Sequence, residues 1–331
     1  MTLNKYLLLY YGKLKSFLKL KIIRKKYYSK ENYSEKNYPI TKRPIFYIIR
    51  RGAPDVGIFS CILTFLSHIR YAETKGYIPI IDMMHFDNEY IYNDSKEFGN
   101  VNAWEYYFKQ PGNCSTNEQY SLREAYLNKK AILSTGEFCF GYEPSVQFLD
   151  SVATPDTHIW KTLWERYRVL NDATANHIEE VYHTMFSVDD RVMGVLCRGS
   201  DYFWHESVQG NETGKITLVL DRVDAAVKEY HCNKIFLMTE DSDILEKFKD
   251  RFGKILYFLD DERVSSDTQD FLGDVWKRKR IDLYQKGLNY ITGFYIITKC
   301  RWFIGTKTSA SVFFDIVGEK EYAFYFNLNE L

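Results

Sequence analysis

Three apolar segments in the second half of the chain are each followed by a short polar run, and these runs hold the side chains best suited to chemistry. The runs are Arg198-Gly199-Ser200-Asp201 after residues 192–197, Glu240-Asp241-Ser242 after residues 234–239, and Thr306-Lys307-Thr308-Ser309-Ala310-Ser311 after residues 301–305. Unbroken apolar segments of this length are typical of parallel strands buried on both faces. Because parallel α/β sheets bind ligands beyond the carboxyl ends of their strands, the three runs are expected to converge if the strands are neighbours.

Arg198 is the strongest candidate among these residues. A guanidinium offers five N–H donors in a planar fork, which matches the oxygens of a phosphate or diphosphate. The alternative is a structural ion pair with Asp201 or Glu240. The hydroxyl-rich third run favours the phosphate interpretation, in which Asp201 orients Arg198 or contacts the nucleotide itself.

The third run is a hydroxyl-rich turn at the start of a predicted helix. The backbone N–H groups and the dipole at a helix start suit a phosphate, and the side chains of Thr306, Thr308, Ser309 and Ser311 add donors. The same hydroxyls can instead serve simply as helix N-caps. The run is not a Walker A loop, and no GxGxxG follows the first strand, which disfavours nicotinamide and flavin cofactors.

Asp241 follows the second strand, where acids in doubly wound folds accept hydrogen bonds from a ribose or a base edge. Its position is equally explained as the N-cap of a helix over residues 242–252, unless Ser242 takes the cap. Glu240, directly before it, is included among the candidate substrate-binding residues.

Alternating strands and helices must position these runs. In the second half of the chain, strands are predicted at 192–197, 234–239, 255–258 and 301–305, and helices at 217–230, 242–252, 281–298 and 309–317. This alternation predicts an α/β fold with a parallel, doubly wound sheet. The organisation we expect is a basic N-terminal segment with a linker over residues 1–43, an α/β domain over 44–188 and a second α/β domain over 189–331.

The first α/β domain opens with a predicted βαβ unit. Its parts are a strand at 45–50, a loop at 51–57, a helix at 58–75 and a strand at 77–82. Gly57 and Ser60, where the loop meets the helix, are candidate substrate contacts. Residues 156–186 are expected to be helical.

The N-terminal segment is basic, and residues 5–23 show helical spacing of apolar side chains. Residues 1–30 contain nine Lys or Arg and no acid. A basic amphipathic helix of this kind, over residues 5–26, can lie on an anionic membrane surface. The alternative is a helix packed against the body of the protein or against a partner. The apolar stripe consists of Leu7, Tyr10, Tyr11, Leu14, Phe17 and Leu18.

Composition disfavours several classes of protein. The six cysteines form no CxxC pair and the seven histidines show no metal-ligand spacing, so we expect neither a metal site nor a disulfide framework. Cysteines in apolar runs are expected to be buried free thiols in a reducing compartment. No apolar run reaches the roughly 18 residues of a transmembrane helix, so we expect neither a membrane-spanning helix nor a signal peptide. The basic excess is confined to one terminal segment, which disfavours nucleic-acid binding.

The three runs, in this order, resemble the motifs of the fucosyltransferase superfamily, which includes α1,2-, α1,6- and protein O-fucosyltransferases. Residues 194–202 look like the first motif, residues 235–241 are similar to the second, and residues 303–311 to the third. Residues 57–82 also look like the first loop, helix and strand of that family. The resemblance covers most of residues 45–318 and leans towards bacterial relatives of the α1,6 type.

The resemblance implies a GT-B fold, in which two Rossmann-like domains face each other across a cleft. It also implies an inverting transfer from GDP-fucose, bound mainly by the C-terminal domain, without a metal requirement. Arg198 matches the family arginine that contacts the β-phosphate, and Asp241 matches the acid that contacts the guanosine. Thr308, Ser309 and Ser311 fall in the phosphate-binding turn.

Two positions depart from the family pattern. Leu196 stands where the family usually has a histidine, and Gly199 replaces a second arginine seen in some branches. Glu206 lies close to where the α1,6 branch places a candidate base, so it is the candidate for activating the acceptor hydroxyl. The alternative for Glu206 is a solvated loop charge.

Taken together, the residues and the resemblance lead us to expect an inverting glycosyltransferase. It would transfer fucose from GDP-fucose to a glycan acceptor in surface polysaccharide synthesis, in the cytoplasm or peripherally on the inner face of the membrane. The alternatives are a glycosyltransferase for another GDP- or UDP-sugar, and a non-catalytic module that binds a nucleotide or a sugar.

Overall fold

The computed structural model describes residues 3–28, 44–51, 56–90, 101–112, 119–128, 130–137, 157–168, 170–199, 212–265, 275, 282–318 and 322–326. These residues form two compact units. The first unit contains the described residues up to 137 and those from 158 to 171, and the second contains Thr157 and the described residues from 172 onward. Each unit has its own parallel sheet, which confirms the expectation of an α/β protein.

The first unit is built on a short parallel sheet in the order β2-β1-β3. The strands are β1 (Phe46–Ile49), β2 (Ile78–Ile81) and β3 (Ile132–Leu133), and the helices are α1 (Leu3–Tyr28), α2 (Ile58–Lys75), α3 (Leu122–Leu127) and α4 (Thr157–Tyr167). Phe46 pairs with Ile78 and Tyr47 with Ile132 in the two parallel ladders. Both longer strands are buried along their whole length, as expected for parallel strands covered on both faces.

Helix α2 is the central helix of the first unit. It is apolar around most of its circumference, and twelve of its side chains between Ile58 and Ala72 are buried. It ends at Gly76, which adopts a left-handed conformation with φ of 65°. The N–H groups of Gly76 and Tyr77 then bond the carbonyl oxygens of Glu73 and Ala72, which closes the helix end and turns the chain into β2.

The second unit contains a larger parallel sheet. Its strands are β4 (Val192–Leu196), β5 (Lys234–Met238), β6 (Leu256–Tyr257), β7 (Trp302–Thr306) and β8 (Tyr322–Phe326), and its helices are α5 (Asp172–Met185), α6 (Glu212–Glu229), α7 (Ser242–Phe252), α8 (Leu283–Lys299) and α9 (Ser309–Val317). The strand order is β6-β5-β4-β7-β8. The chain therefore builds outward from β4 to β6 and then returns to the other side of β4 for β7 and β8. This reversal makes the second sheet doubly wound, as predicted.

Helices α2, α7 and α9 begin and end at the predicted residues, and most other predicted elements differ by up to five residues at their ends. The predicted helical segment 156–186 is interrupted and forms two helices, α4 and α5. The sequence analysis did not assign α3, β3 or β8. The predicted boundary at residue 188 also differs from the grouping in the structure, which places α5 in the second unit. The reason is packing against α8, where Lys299 bonds Glu179 and lies over the ring of Tyr182.

Candidate functional site

The exits of β4 and β7 lie side by side at the point where the strand order reverses. Strand β4 pairs in parallel with β5 on one side and with β7 on the other. The boundary between β4 and β7 is therefore the topological switch point of the sheet, which is where doubly wound folds bind their ligands. Arg198 follows β4 and Thr306 ends β7, so both residues lie at this point.

Hydrogen bonds join all three strand exits. The Oε1 atom of Glu240, after β5, accepts from Arg198 Nε at 2.8 Å and from the backbone N–H of Gly199 at 3.0 Å. On the other side, the backbone N–H of Arg198 donates to Thr306 Oγ1 at 3.0 Å. The expected convergence of the three polar runs is therefore present, because β5, β4 and β7 are neighbours in the sheet.

The Arg198 side chain is held at this edge by an ion pair with Glu240. The side chains of Arg198 and Glu240 are 18% and 12% exposed, so the pair is largely shielded but reachable from solvent. The structure thus contains the ion pair with Glu240 that the sequence left as the alternative. A guanidinium can bond a carboxylate through Nε and present other N–H donors to a second anion, so this pairing and a phosphate contact are compatible.

The hydroxyl-rich turn is organised by its own side chains. Thr306 Oγ1 donates to the Leu196 carbonyl at 3.3 Å, and the Ser311 hydroxyl donates to the carbonyl of Thr306. Thr308 is the N-cap of α9 and accepts from the backbone N–H of Ser311 at 3.3 Å. Thr306, Thr308 and Ser311 are buried, and their hydroxyls fix the shape of the turn.

Ser309, the first residue of α9, differs from these three. It is half-buried, and within the described part of the chain its hydroxyl makes no hydrogen bond. The first-turn N–H groups of an α-helix also lack partners within the helix. Ser309 and the start of α9 are therefore the part of the turn best suited to hold an anion, a few residues from the backbone contact between Arg198 and Thr306.

Asp241 is fully buried and caps helix α7. Its Oδ1 atom accepts from the backbone N–H groups of Asp243 and Ile244 at 2.8 and 3.0 Å. Ser242 does not take the cap, because its hydroxyl donates to the carbonyl of Val264. The structure thus shows the capping role that the sequence gave as the alternative for Asp241. A contact with a nucleoside stays a prediction.

Gly199 allows the first and second exits to approach closely. A Cβ atom at this position would lie 2.4 Å from Asp241 Oδ2 and 2.6 Å from the Ile244 side chain. A side chain at this position would require the Asp241 and Ile244 side chains to shift. This contact gives a steric reason for glycine where some branches of the resembled family have an arginine.

Two cations near Glu240 were not identified from the sequence. Arg263 donates to the carbonyl oxygens of Thr239, Asp261 and Leu259, and Lys286 donates to the Asp261 carboxylate at 3.3 Å. Burial lowers the pKa of both side chains, and the nearby carboxylates of Asp261 and Glu240 oppose that shift. Both cations shape the loop after β6. Their sequence surroundings carry no motif that would have indicated this position.

No protein-family model and no curated protein matches the sequence. Solved structures do match in fold. A structure of NodZ α1,6-fucosyltransferase soaked with GDP-fucose has 13% identity and a TM-score of 0.50, over 83% of this chain and 93% of that chain. The chain therefore has a fold similar to that of NodZ α1,6-fucosyltransferase. A structure of NodZ from Bradyrhizobium is also similar, with 14% identity and a TM-score of 0.48, over 82% of this chain and 92% of that chain. So is a structure of POFUT1 in complex with GDP-fucose, with 10% identity and a TM-score of 0.48, over 86% of this chain and 98% of that chain.

Two candidates of the sequence analysis lie outside the described residues. They are Asp201 and Glu206, both beyond the β4 exit. Their roles as orienting acid and candidate base therefore stay predictions.

Gly57 and Ser60 belong to the first unit, at the start of α2. Gly57 is the N-cap residue, and the first N–H of the helix, that of Ile58, donates to the Tyr90 hydroxyl at 2.7 Å. Ser60 is half-buried and its carbonyl accepts from Thr64. A Cβ atom at Gly57 would contact nothing within 4 Å, so packing does not require glycine there.

The strand exits of the first unit carry a second polar cluster, which the sequence analysis did not single out. Asp82, after β2, accepts from the Tyr126 hydroxyl at 2.5 Å and from His85 Nδ1 at 3.1 Å, and all three side chains are buried. Burial and the Asp82 carboxylate raise the pKa of Tyr126. Arg50, after β1, is buried beside Ser134 and lies over the Phe86 ring. The strand-exit rule, applied to the first sheet, would have found both exits.

The cysteines that the structure describes are buried free thiols, as expected. They are Cys61, Cys197, Cys232 and Cys300. Burial raises the pKa of Cys61 to about 12 and that of Cys232 to about 11, so neither is ionised near neutral pH. Within the described residues, no group of three or more His, Cys, Asp or Glu side chains is arranged to hold a metal ion. Cys114 and Cys139 lie outside them.

Proposed function

We propose that this protein is an inverting glycosyltransferase that transfers fucose from GDP-fucose to a glycan acceptor, in the synthesis of a surface polysaccharide. One arrangement carries the proposal: Arg198 and the start of α9 flank the switch point of the second sheet. The fold supports it, because the similar NodZ structure was soaked with GDP-fucose.

The proposed chemistry requires cations and donors at the leaving group. Negative charge grows on the departing diphosphate as the bond to the sugar breaks. Arg198 and the N-terminal N–H groups of α9 are positioned to stabilise that charge, and Ser309 adds a hydroxyl donor. Glu240 holds the Arg198 guanidinium in place through Nε, so the arginine side chain need not reorganise during the reaction. The residues of this chain therefore supply the neutralisation, and we propose that no metal cofactor is needed.

The nucleoside is proposed to extend from this point towards β5, next to Asp241. Oδ1 of Asp241 caps α7, so a nucleoside contact must be compatible with that cap. That contact requires a local opening, since Asp241 is fully buried.

The acceptor is proposed to bind on the first unit. Its strand exits offer the polar cluster around Arg50 and Asp82, and Gly57 and Ser60 lie at the start of α2. Glu206 is proposed as the base that takes the proton of the attacking hydroxyl.

Isothermal titration calorimetry of the full-length protein with GDP, GDP-fucose and UDP tests the donor. We expect GDP and GDP-fucose to bind at least about tenfold more tightly than UDP, which corresponds to about 1.4 kcal/mol. Tighter binding of UDP would overturn the assignment of the donor. Release of GDP from GDP-fucose, followed with a library of glycan acceptors, tests the transfer itself. Tight GDP binding without turnover on any acceptor would instead support a non-catalytic binding module.

A further inference from the structure

Helix α1 has two apolar stripes, and only one of them packs against the first unit. Leu20 and Ile23 are buried in the core beside β3 and α3. Arg24 donates through Nε to the carbonyl of Tyr126 at 2.6 Å and through Nη2 to that of Asn128 at 2.5 Å. Tyr28 stacks on the Tyr126 ring. The end of the helix is therefore fixed to the body, which is the packing that the sequence left open as an alternative.

The second apolar stripe lies on the opposite face and is exposed. Leu14, Leu18 and Ile22 follow each other at four-residue steps and are 45%, 51% and 63% exposed, and Phe17 beside them is 51% exposed. At 3.6 residues per turn, Leu20 and Ile23 point about 140–160° away from Leu18. The packing against the body thus leaves uncovered Leu14, Phe17 and Leu18, which belong to the stripe predicted from the sequence, together with Ile22.

Exposed apolar side chains are concentrated on this helix. Nine large hydrophobic side chains are exposed among the residues whose side chains the structure describes, and five of them belong to α1. The others stand singly on different elements: Val101, Ile132, Val188 and Leu218. Single exposed apolar residues are normal on protein surfaces, whereas a contiguous stripe marks an interaction surface.

The exposed stripe is bordered by positive charge. Lys15, Lys21 and Lys25 are exposed and lie within about 60° of Leu18 around the helix axis. Lys21 Nζ lies over the Phe17 ring at 4.7 Å. Residues 1–30 contain no acid to balance the nine basic residues. A surface that covers this stripe must therefore offer apolar groups to the stripe and negative charge to the lysines beside it.

We propose that the exposed face of α1, defined by Leu14, Phe17, Leu18 and Ile22 with Lys15, Lys21 and Lys25, docks on an anionic lipid bilayer. The apolar side chains enter the boundary between head groups and acyl chains, and the lysines reach the anionic head groups. A second copy of the chain is a poorer occupant, because pairing two such faces brings like charges together. None of the described helices is long and apolar enough to cross a bilayer.

The fixed mounting of α1 gives the docking a defined geometry. Because Arg24 and Tyr28 hold the helix to the first unit, the bilayer contacts a rigid platform rather than a flexible tail. The strand exits of the first unit, where the acceptor is proposed to bind, are then held in one orientation to the membrane. The docking itself is independent of the donor chemistry, so it can hold or fail separately from the proposed function.

Sedimentation of the full-length protein with vesicles tests the docking. The probes are vesicles of phosphatidylcholine alone and of phosphatidylcholine with phosphatidylglycerol in equal amounts. We expect binding to the anionic vesicles only, and a decrease in the partition coefficient of about tenfold or more in the double variant Leu18→Glu/Ile22→Glu. The matched control is Val188→Glu/Leu218→Glu, which adds the same charges at exposed apolar residues outside α1 and is expected to bind like the wild type.

A second variant tests the charge. Lys21→Glu/Lys25→Glu is expected to weaken binding to the anionic vesicles to a similar extent and to leave the melting temperature unchanged, since both side chains are exposed. Equal binding to both kinds of vesicle, or no vesicle binding by the wild type, would overturn the proposal. So would a wild-type dimer in sedimentation velocity that Leu18→Glu/Ile22→Glu converts to a monomer, because that result assigns the stripe to a second copy of the chain.

Discussion

At the scale of single residues, Arg198 and Glu240 show how one pair can serve both structure and chemistry. Glu240 Oε1 binds the guanidinium and the Gly199 N–H with one atom, so the carboxylate sets the position of Arg198 and joins two strand exits. An arginine that is already held in position stabilises a developing negative charge better, because its side chain need not reorganise during the reaction. Gly199 is needed for the same geometry, since any Cβ there would collide with Asp241.

Arg198→Ala tests this role. We expect kcat/KM for GDP-fucose to fall by roughly 10²–10³ with a small change in melting temperature, because the side chain is at the edge of the sheet and partly exposed. Arg198→Lys keeps the charge but loses the fork, and should recover a part of the activity. The matched control is Arg222→Ala, which removes an exposed arginine bonded to Tyr322 in the same unit. Full activity in Arg198→Ala would exclude Arg198 from the site.

At the scale of elements, the turn into α9 divides its hydroxyls between two tasks. Thr306, Thr308 and Ser311 bond within the turn and to β4, whereas Ser309 stands at the helix start without such a bond among the described residues. Helix α1 divides its residues in the same way, with one face for packing and one left exposed. In both elements the sequence pattern identifies the hydroxyl or apolar residues. The tertiary contacts then show which of them stabilise the fold and which are exposed to a ligand or a surface.

The pair Ser309→Ala and Ser311→Ala tests the division within the turn. Ser311→Ala should lower the free energy of unfolding by about 1–2 kcal/mol, because the buried hydroxyl donates to the Thr306 carbonyl. Ser309→Ala should leave stability unchanged and weaken GDP binding several-fold, as loss of a hydroxyl donor to phosphate predicts. Urea unfolding and calorimetry with GDP measure the two effects. If Ser309→Ala binds GDP like the wild type, the phosphate does not lie at the start of α9.

At the scale of the whole molecule, the second unit alone carries the arrangement proposed for the donor. Its strand order brings β4 and β7 together, and the three exits from β5, β4 and β7 are linked by hydrogen bonds. The first unit has a separate polar edge around Arg50 and Asp82 and carries the exposed helix α1. This division fits the proposed function, in which the nucleotide-sugar donor binds to the second unit and the acceptor binds to the first.

Chelation tests whether the chain's own cations suffice for the whole reaction. With EDTA in excess, we expect the rate of fucose transfer to remain unchanged, because Arg198 and the start of α9 are proposed to neutralise the diphosphate. A metal-dependent glycosyltransferase assayed in the same buffer serves as the control and should lose its activity. Loss of transfer in EDTA that Mg²⁺ or Mn²⁺ restores would contradict the metal-free proposal.

Local patterns in the sequence were sufficient for much of this protein. Apolar runs and helical periodicity predicted α2, α7 and α9 to the residue, together with the polar runs that end at Arg198, Asp241 and Ser311. These features depend on neighbours along the chain, within about one or two helical turns, so the sequence contains them directly. The sequence analysis missed β3 because this strand has only two residues, and it missed β8 because this edge strand is half-exposed.

Only the tertiary structure decided which of these features meet. The sequence could not show that β4 lies between β5 and β7, because parallel neighbours are joined by long crossovers that leave strand order open. Nor could it choose the partner of Arg198, assign the cap of α7 to Asp241, or tell which stripe of α1 is buried. For Arg198 and for the cap of α7, several polar groups compete as hydrogen-bond partners, and the folded chain decides which of them lie within range. For α1, the buried stripe is the one that meets the first unit.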